Sequence, residues 1–157
     1  MQAIEVLPVT CRDGRIVSLR PDCADSFVIG WPAGARPEEV ALRAVEGLGL
    51  KPIVLHSTSW RHAVPEVVLT YLAVVAPDAA IPESWEEAAV MHAELARGGA
   101  TAPPTVIGAS QVLEHGLRHL AWLVNEDEGI ANALPGWKKV LESYVPEPFR
   151  ALSGPTG

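Results

Sequence analysis

Cysteine is scarce in this chain, with only Cys11 and Cys23 among 157 residues. Two thiols do not complete a tetrahedral zinc site without further ligands. A chain of this length buries roughly 70% of its unfolded surface, so its core needs no disulfide staple. Both cysteines are therefore expected to be reduced packing residues in a reducing compartment. Long apolar runs are also absent. The longest, Val67 to Ala76, is broken by Thr70 and ends at Pro77, well short of the ~20 residues that cross a bilayer. It reads as a buried strand, and no membrane association is expected. Positive charge is in deficit, with 12 Lys plus Arg against 19 Asp plus Glu and a net charge of −7. That balance argues against nucleic acid held on a general basic surface. The N-terminus carries Glu5 and lacks a basic leader and an apolar h-region, so the expected compartment is the cytoplasm. Neither a Gly-x-Ser-x-Gly elbow nor a Gly-Lys-Ser/Thr phosphate loop occurs.

Hydrophobic residues make up 48% of the chain and charged residues 20%, the composition of an ordinary globular domain. The whole chain, 1–157, is expected to form one domain, sheet-rich over 1–76 and helical over 77–157. The class is α+β with a mixed or antiparallel sheet. Ile4 to Val9 reads as a strand, Asp13-Gly14 as a tight turn, and Ile16 to Leu19 as the antiparallel return. Phe27 to Trp31 is a further strand. Pro37 occupies a first-turn helix position, followed by Glu38 and Glu39 at the positive end of the dipole. Ala41, Ala44, Val45 and Leu48 form an apolar stripe, and Gly49 supplies a left-handed stop. Pro52 to Trp60 and Glu66 to Val75 predict two adjacent antiparallel strands.

Beyond Pro77 the signals turn helical. Ser84-Trp85-Glu86-Glu87 fits a capping box and predicts a helix running to Arg97, stopped by Gly98-Gly99. Thr101 to Thr105 predicts a connection. A helix follows from about Ser110 to Glu126, with Leu113, Leu117, Leu120 and Val124 on its core stripe. Asn125 to Gly129 predicts a solvated connection between helices, and a last helix is expected around Leu134 to Tyr144, before a frayed Gly-Pro-Thr-Gly tail.

The segment Glu38 to Leu50 resembles the helix of the Nudix box, with Arg43, Glu46 and Gly49-Leu50 as its landmarks and a one-residue deletion between Arg43 and Gly49. Trp31-Pro32-Ala33-Gly34 looks like a shortened form of the family's apolar-Pro-Gly-Gly approach to that helix. The resemblance covers residues 31–50 and implies a strand-loop-helix-strand-strand core in which this segment connects neighbouring strands. It also implies a site at Glu46, Arg43 and Glu39, with magnesium or manganese where hydrolysis is retained. Such hydrolysis uses several glutamates on one helix face to hold divalent metal against a diphosphate. Here Ala44 stands where the glutamate after the arginine belongs, and only Glu46 remains of the paired glutamates. The resemblance therefore implies a degenerate site.

Two further groups invite chemistry. His115 and His119 are four apart on the predicted helix, close enough to chelate one zinc ion with a third ligand such as His92 or Glu94. Trp122 and Glu126 share their side, opposite the leucine stripe, so a tryptophan falls on a nominally wet face. That face calls for cover by another segment, a second subunit or a ligand. On the predicted strand, a period of two places Val54, His56, Thr58 and Trp60 on one face with His62 beyond. Such a tryptophan wall with interleaved hydrogen-bonding groups suits a small organic ligand and equally suits a core edge. Taken together, the expectation is a catalytically impaired Nudix-like domain that binds a small ligand, nucleotide-related ones included, or a protein partner. The alternatives are a divalent-metal hydrolase of nucleoside diphosphate derivatives and an interaction protein that forms a homodimer through the Trp122 face.

Overall fold

The computed structural model describes residues 2–21, 26–63, 66–92 and 109–148. Its most buried strand is β1 (Gln2–Arg12), enclosed from Ala3 to Thr10. Asp13 and Gly14, both with positive φ (52° and 71°), turn the chain back into β2 (Arg15–Arg20), with Arg12 opposite Arg15. Two consecutive left-handed residues match the twist of a two-residue hairpin, which is why the Asp-Gly pair is legible. β3 (Phe27–Gly30) pairs antiparallel with the first half of β1, and β2 pairs with its second half.

Helix α1 (Pro37–Gly47) starts with proline in its first turn and closes on Gly49 at φ 82°. Its buried residues are Ala41 and Val45, while Leu48, expected on the same stripe, is the exposed C-cap. β4 (Pro52–Ala63) and β5 (Glu66–Val75) are adjacent and antiparallel, as expected, and β5 then runs parallel to β1. Residues 31–50 do not connect neighbours. They cross from β3, beside β1, to β4, with β1 and β5 between.

The segment after Pro77 departs most from expectation. Glu86–Ala89 is not the first turn of a helix but strand β6, antiparallel to β2. Arg12 lies 2.8 Å from Glu87 and Arg20 3.8 Å from Glu86. The open edge of β2 gives these residues a ladder and two cations, which outweighs a local capping signal. Among the described residues the sheet order is β4-β5-β1-β2-β6, with β3 beside β1. The remainder of the expected helix to Arg97, Gly98-Gly99, the connection Thr101 to Thr105, Cys23 and the Gly-Pro-Thr-Gly tail lie outside the described residues.

Helix α2 (Ala109–Glu126) matches its prediction. A short helix that the sequence does not predict, α3 (Glu128–Ala133), begins inside the predicted connection, and of the last helix expected around Leu134 to Tyr144 only α4 (Trp137–Val140) forms, starting after Gly136 at φ 85°. Asn125 to Gly129, expected as a solvated connection, is exposed, but only Asp127 stands between α2 and α3, and it caps α3 by accepting from the Ile130 amide at 3.1 Å. Alternation along β1 sends Ile4 and Val6 to one face of the sheet, where they pack with Ala41, Val45, Leu50, Tyr71 and Ala73. Leu7 and Val9 go to the other face, against Leu72, Val74 and the leucines of α2. Leu134, Trp137, Leu141 and Tyr144 belong to that second cluster, so α2 is covered by the sheet and by the chain that follows it. The half-buried Cys11 carries a free thiol at the margin of this cluster. Among the described residues no helix is long and apolar enough to cross a membrane.

Candidate functional site

On α1 the acidic side chains are spread out. Glu38 and Glu39 stand exposed in the first turn, and Arg36 lies 3.8 Å from the former and 3.4 Å from the latter. Glu38 also reaches the sheet electrostatically: burial, and then the Glu38 charge, push the Tyr71 phenol above its ordinary value. Glu46 and Arg43 are exposed further along the helix. Seven residues separate Glu39 from Glu46, which places them on one side of the helix but roughly 10 Å apart along its axis. The positions within one turn of Glu46 carry Leu42, Arg43, Gly49 and Leu50. No second carboxylate of α1 stands beside Glu46.

The strand group and the helix group, separate in the sequence, partly merge in space. In β4, Ser57 is opposite Tyr71 and Ser59 opposite Thr70, so Thr58 is the extra residue of a β-bulge. A bulge shifts the alternation by one residue. His56 and Thr58 therefore face α2, whereas Trp60, opposite Leu69, is turned to the α1 side, where it meets His62 edge-on at 5.3 Å between ring centroids. The expected single face of His56, Thr58, Trp60 and His62 is thus divided in two. Thr58 approaches α2 at Gly116, where an added Cβ would stand 3.5 Å from the Thr58 hydroxyl. His56 meets His119 at 5.2 Å between ring centroids.

His115 and His119 are not on a wet face. Each is 2% exposed. The cover that Trp122 called for comes from this chain itself: Trp122 is half-buried, packs against the α2 core and stacks on His119 at 5.9 Å and 10°. Both histidines turn Nδ1 toward Glu147, in the segment after α4. His119 Nδ1 donates to the Glu147 carbonyl at 3.0 Å, and His115 Nδ1 lies 3.7 Å from the Glu147 carboxylate. The Glu147 amide donates to the Arg118 carbonyl at 3.1 Å, and Arg118 reaches the Glu147 carboxylate at 3.3 Å. Burial holds the His119 imidazole below its ordinary value. The bond to Glu147 opposes this, and the neighbouring His56 and His115 add to it. Among the described residues no three His, Cys, Asp or Glu side chains are arranged to hold a metal ion. His92, expected as a third ligand, instead contacts Glu114 and Ser143, and Glu94 lies outside the described residues.

Sequence reasoning missed two groups. Glu5 and Arg61 form an ion pair inside the sheet, and Glu114 is enclosed on α2, 1% exposed at its side chain. The i, i+4 spacing of Glu114 and Arg118 predicts an ordinary ion pair, which forms at 3.0 Å; what that spacing does not predict is the enclosure of Glu114. Nothing local marks Glu5, because its partner is 56 residues away.

No family model matches this chain. No curated protein matches it either. Among solved structures, the NUDIX domain of Shewanella oneidensis NrtR, determined in complex with ADP ribose, is similar over 57% of this chain and 71% of that one. The TM-score is 0.35 and the identity 13%. A likeness at that level assigns neither a site nor an activity.

Proposed function

We propose that this chain is a Nudix-like domain whose first helix lacks a hydrolytic centre, and that it binds a small ligand, nucleotide-related ones included, or a protein partner. The observation that carries this is the isolation of Glu46. Holding a divalent cation against a phosphoanhydride takes several oxygens converging on one point. On α1 the nearest other carboxylates begin two turns away and are held near Arg36. The spacing of carboxylates supports the absence of a hydrolytic centre; the connection made by residues 31–50, which crosses the sheet instead of joining neighbours, departs from the strand-loop-helix-strand-strand core that the resemblance implies.

Incubation with a panel of nucleoside diphosphate derivatives, ADP ribose among them, with magnesium or manganese tests this directly. The expected result is no turnover by the wild-type chain and no difference in Glu46→Gln. Turnover that disappears in Glu46→Gln overturns the proposal and establishes a divalent-metal hydrolase.

A further inference from the structure

We propose that Ser143, His92 and Glu114 form an ester-hydrolysing site, independent of α1, in which Ser143 is the nucleophile, His92 the general base and Glu114 the positioning carboxylate. The three come from separate parts of the chain: the turn after α4, the segment after β6, and the second turn of α2. His92 Nε2 lies 2.9 Å from the Ser143 hydroxyl, and His92 Nδ1 lies 2.8 Å from the Glu114 carboxylate. This order of contacts is the nucleophile, base and orienting acid of a hydrolytic triad, which is recognised by geometry and role and not by spacing in sequence.

The tautomer follows from the partners. Arg118 Nε donates to the second oxygen of Glu114 at 3.0 Å. The Glu114 carboxylate, which accepts from Arg118, has no proton to donate to the ring, so Nδ1 of His92 carries the proton. Nε2 then has its lone pair directed at the Ser143 hydroxyl, the state a general base requires. The ring is held by more than these two bonds: it packs on Tyr144 with centroids 4.2 Å apart. Glu114 is fixed in turn, with its side chain 1% exposed and paired with Arg118. Ser143 is exposed and the His92 side chain is 52% exposed, so the reacting end is open to substrate while the orienting end is closed.

The substrate class comes from what lies beside the base. His92 stands at the edge of a cavity of about 410 Å³ lined by the apolar Leu7, Leu113 and Met91 and by the polar Ser18, Arg20 and Ser110, with Ser143 outside its wall. That volume is in the range of small-molecule sites. The substrate class is a small carboxylic ester, its carbonyl at Ser143 and its acyl group reaching past His92 toward the Leu7, Leu113 and Met91 side of the cavity. The Ser143 oxygen adds to the ester carbonyl as His92 Nε2 takes the hydroxyl proton. The tetrahedral adduct breaks its bond to the alkoxide, which leaves as the alcohol with that proton, and acyl-Ser143 remains. Water then adds to the acyl carbon and gives its proton to His92, the bond to Ser143 breaks, and the proton returns to the serine oxygen as the free acid departs.

The test uses the full chain with p-nitrophenyl butyrate as substrate and a fluorophosphonate as covalent probe. The expected result is saturable hydrolysis, with the probe mapped by mass spectrometry to Ser143. Ser143→Ala and His92→Gln, both at exposed side chains, should keep the wild-type circular dichroism and melting curve and lose about 100-fold in kcat/KM. Ser84→Ala, at an exposed serine outside the site, should be unchanged. In Glu114→Gln, kcat should fall at least about tenfold with KM within about twofold, as expected of a positioning residue. Absence of a Ser143 adduct, or hydrolysis that survives in Ser143→Ala, overturns the proposal. Either result leaves the assignment of α1 untouched, because that is read with phosphoanhydrides and metal.

Discussion

Arg61 on β4 reaches across β5 to Glu5 on β1 and holds its carboxylate with both terminal nitrogens, at 2.9 and 3.1 Å. Thr70, on the strand between them, accepts from Arg61 at 3.1 Å, and Ser26 donates to Glu5 at 3.0 Å. The pair is 17% and 8% exposed at its side chains, so it gains from the low local dielectric only while both partners are present.

Removing one partner should therefore cost more than removing both. Arg61→Ala leaves a carboxylate enclosed in the sheet and is expected to cost about 3 kcal/mol. The double variant Glu5→Leu with Arg61→Leu replaces the pair by apolar surface and should recover most of that loss. Urea denaturation of the two variants decides the matter; a double variant as unstable as Arg61→Ala would contradict it.

Acid should weaken this fold through α2. His119 faces His56 of β4, His115 of its own helix and Glu147 of the C-terminal segment. Burial is the main cause of its lowered folded-state value, so the unfolded chain binds its proton more readily than the native one. The native state is then fully favoured above the unfolded value of about 6.5 and loses ground as pH falls from there toward the folded value. Urea midpoints taken from pH 7.5 down to 5.5 should decline, and the decline should be shallower in His119→Gln. A parallel decline in that variant would assign the effect to other groups.

The bulge carries its own test. The Thr58 hydroxyl is buried, 1% exposed at the residue, and has no hydrogen-bond partner among the described residues. Thr58→Val keeps the shape and removes the unsatisfied oxygen, so it is expected to stabilise the protein by about 1 kcal/mol. Thermal melts of the two proteins are sufficient. A loss of stability would show that the hydroxyl is bonded in solution.

Local chemistry made much of this fold legible. Asp13-Gly14, Pro37 and Gly49 each act within a few residues, and the turns they predict are the turns found. The long branched runs of β4 and β5 and the leucine periodicity of α2 are similarly self-contained. What escaped were features decided by distant neighbours. Ser84-Trp85-Glu86-Glu87 is a good helix start in isolation, but β2 offers the same residues a sheet edge and the cations Arg12 and Arg20. His115 and His119 read as exposed because a single helix shows one apolar stripe, and the second covering surface comes from β4 and Glu147. The face of His56, Thr58, Trp60 and His62 failed at one inserted residue that no period of two reveals. His92 lies 22 residues from Glu114 and 51 from Ser143, and the three share no motif.

The parallel pairing of β1 with β5 joins Gln2 to Val67 and Val9 to Val74. A strand that is enclosed on both faces when finished must therefore wait, as synthesis proceeds, for a partner some 65 residues downstream. The β1–β2 hairpin can close early, but β1 keeps an open edge until β5 leaves the ribosome. Closure of so long a loop slows assembly. Conditions that delay it should favour aggregation through the apolar N-terminal strand before they affect the finished domain.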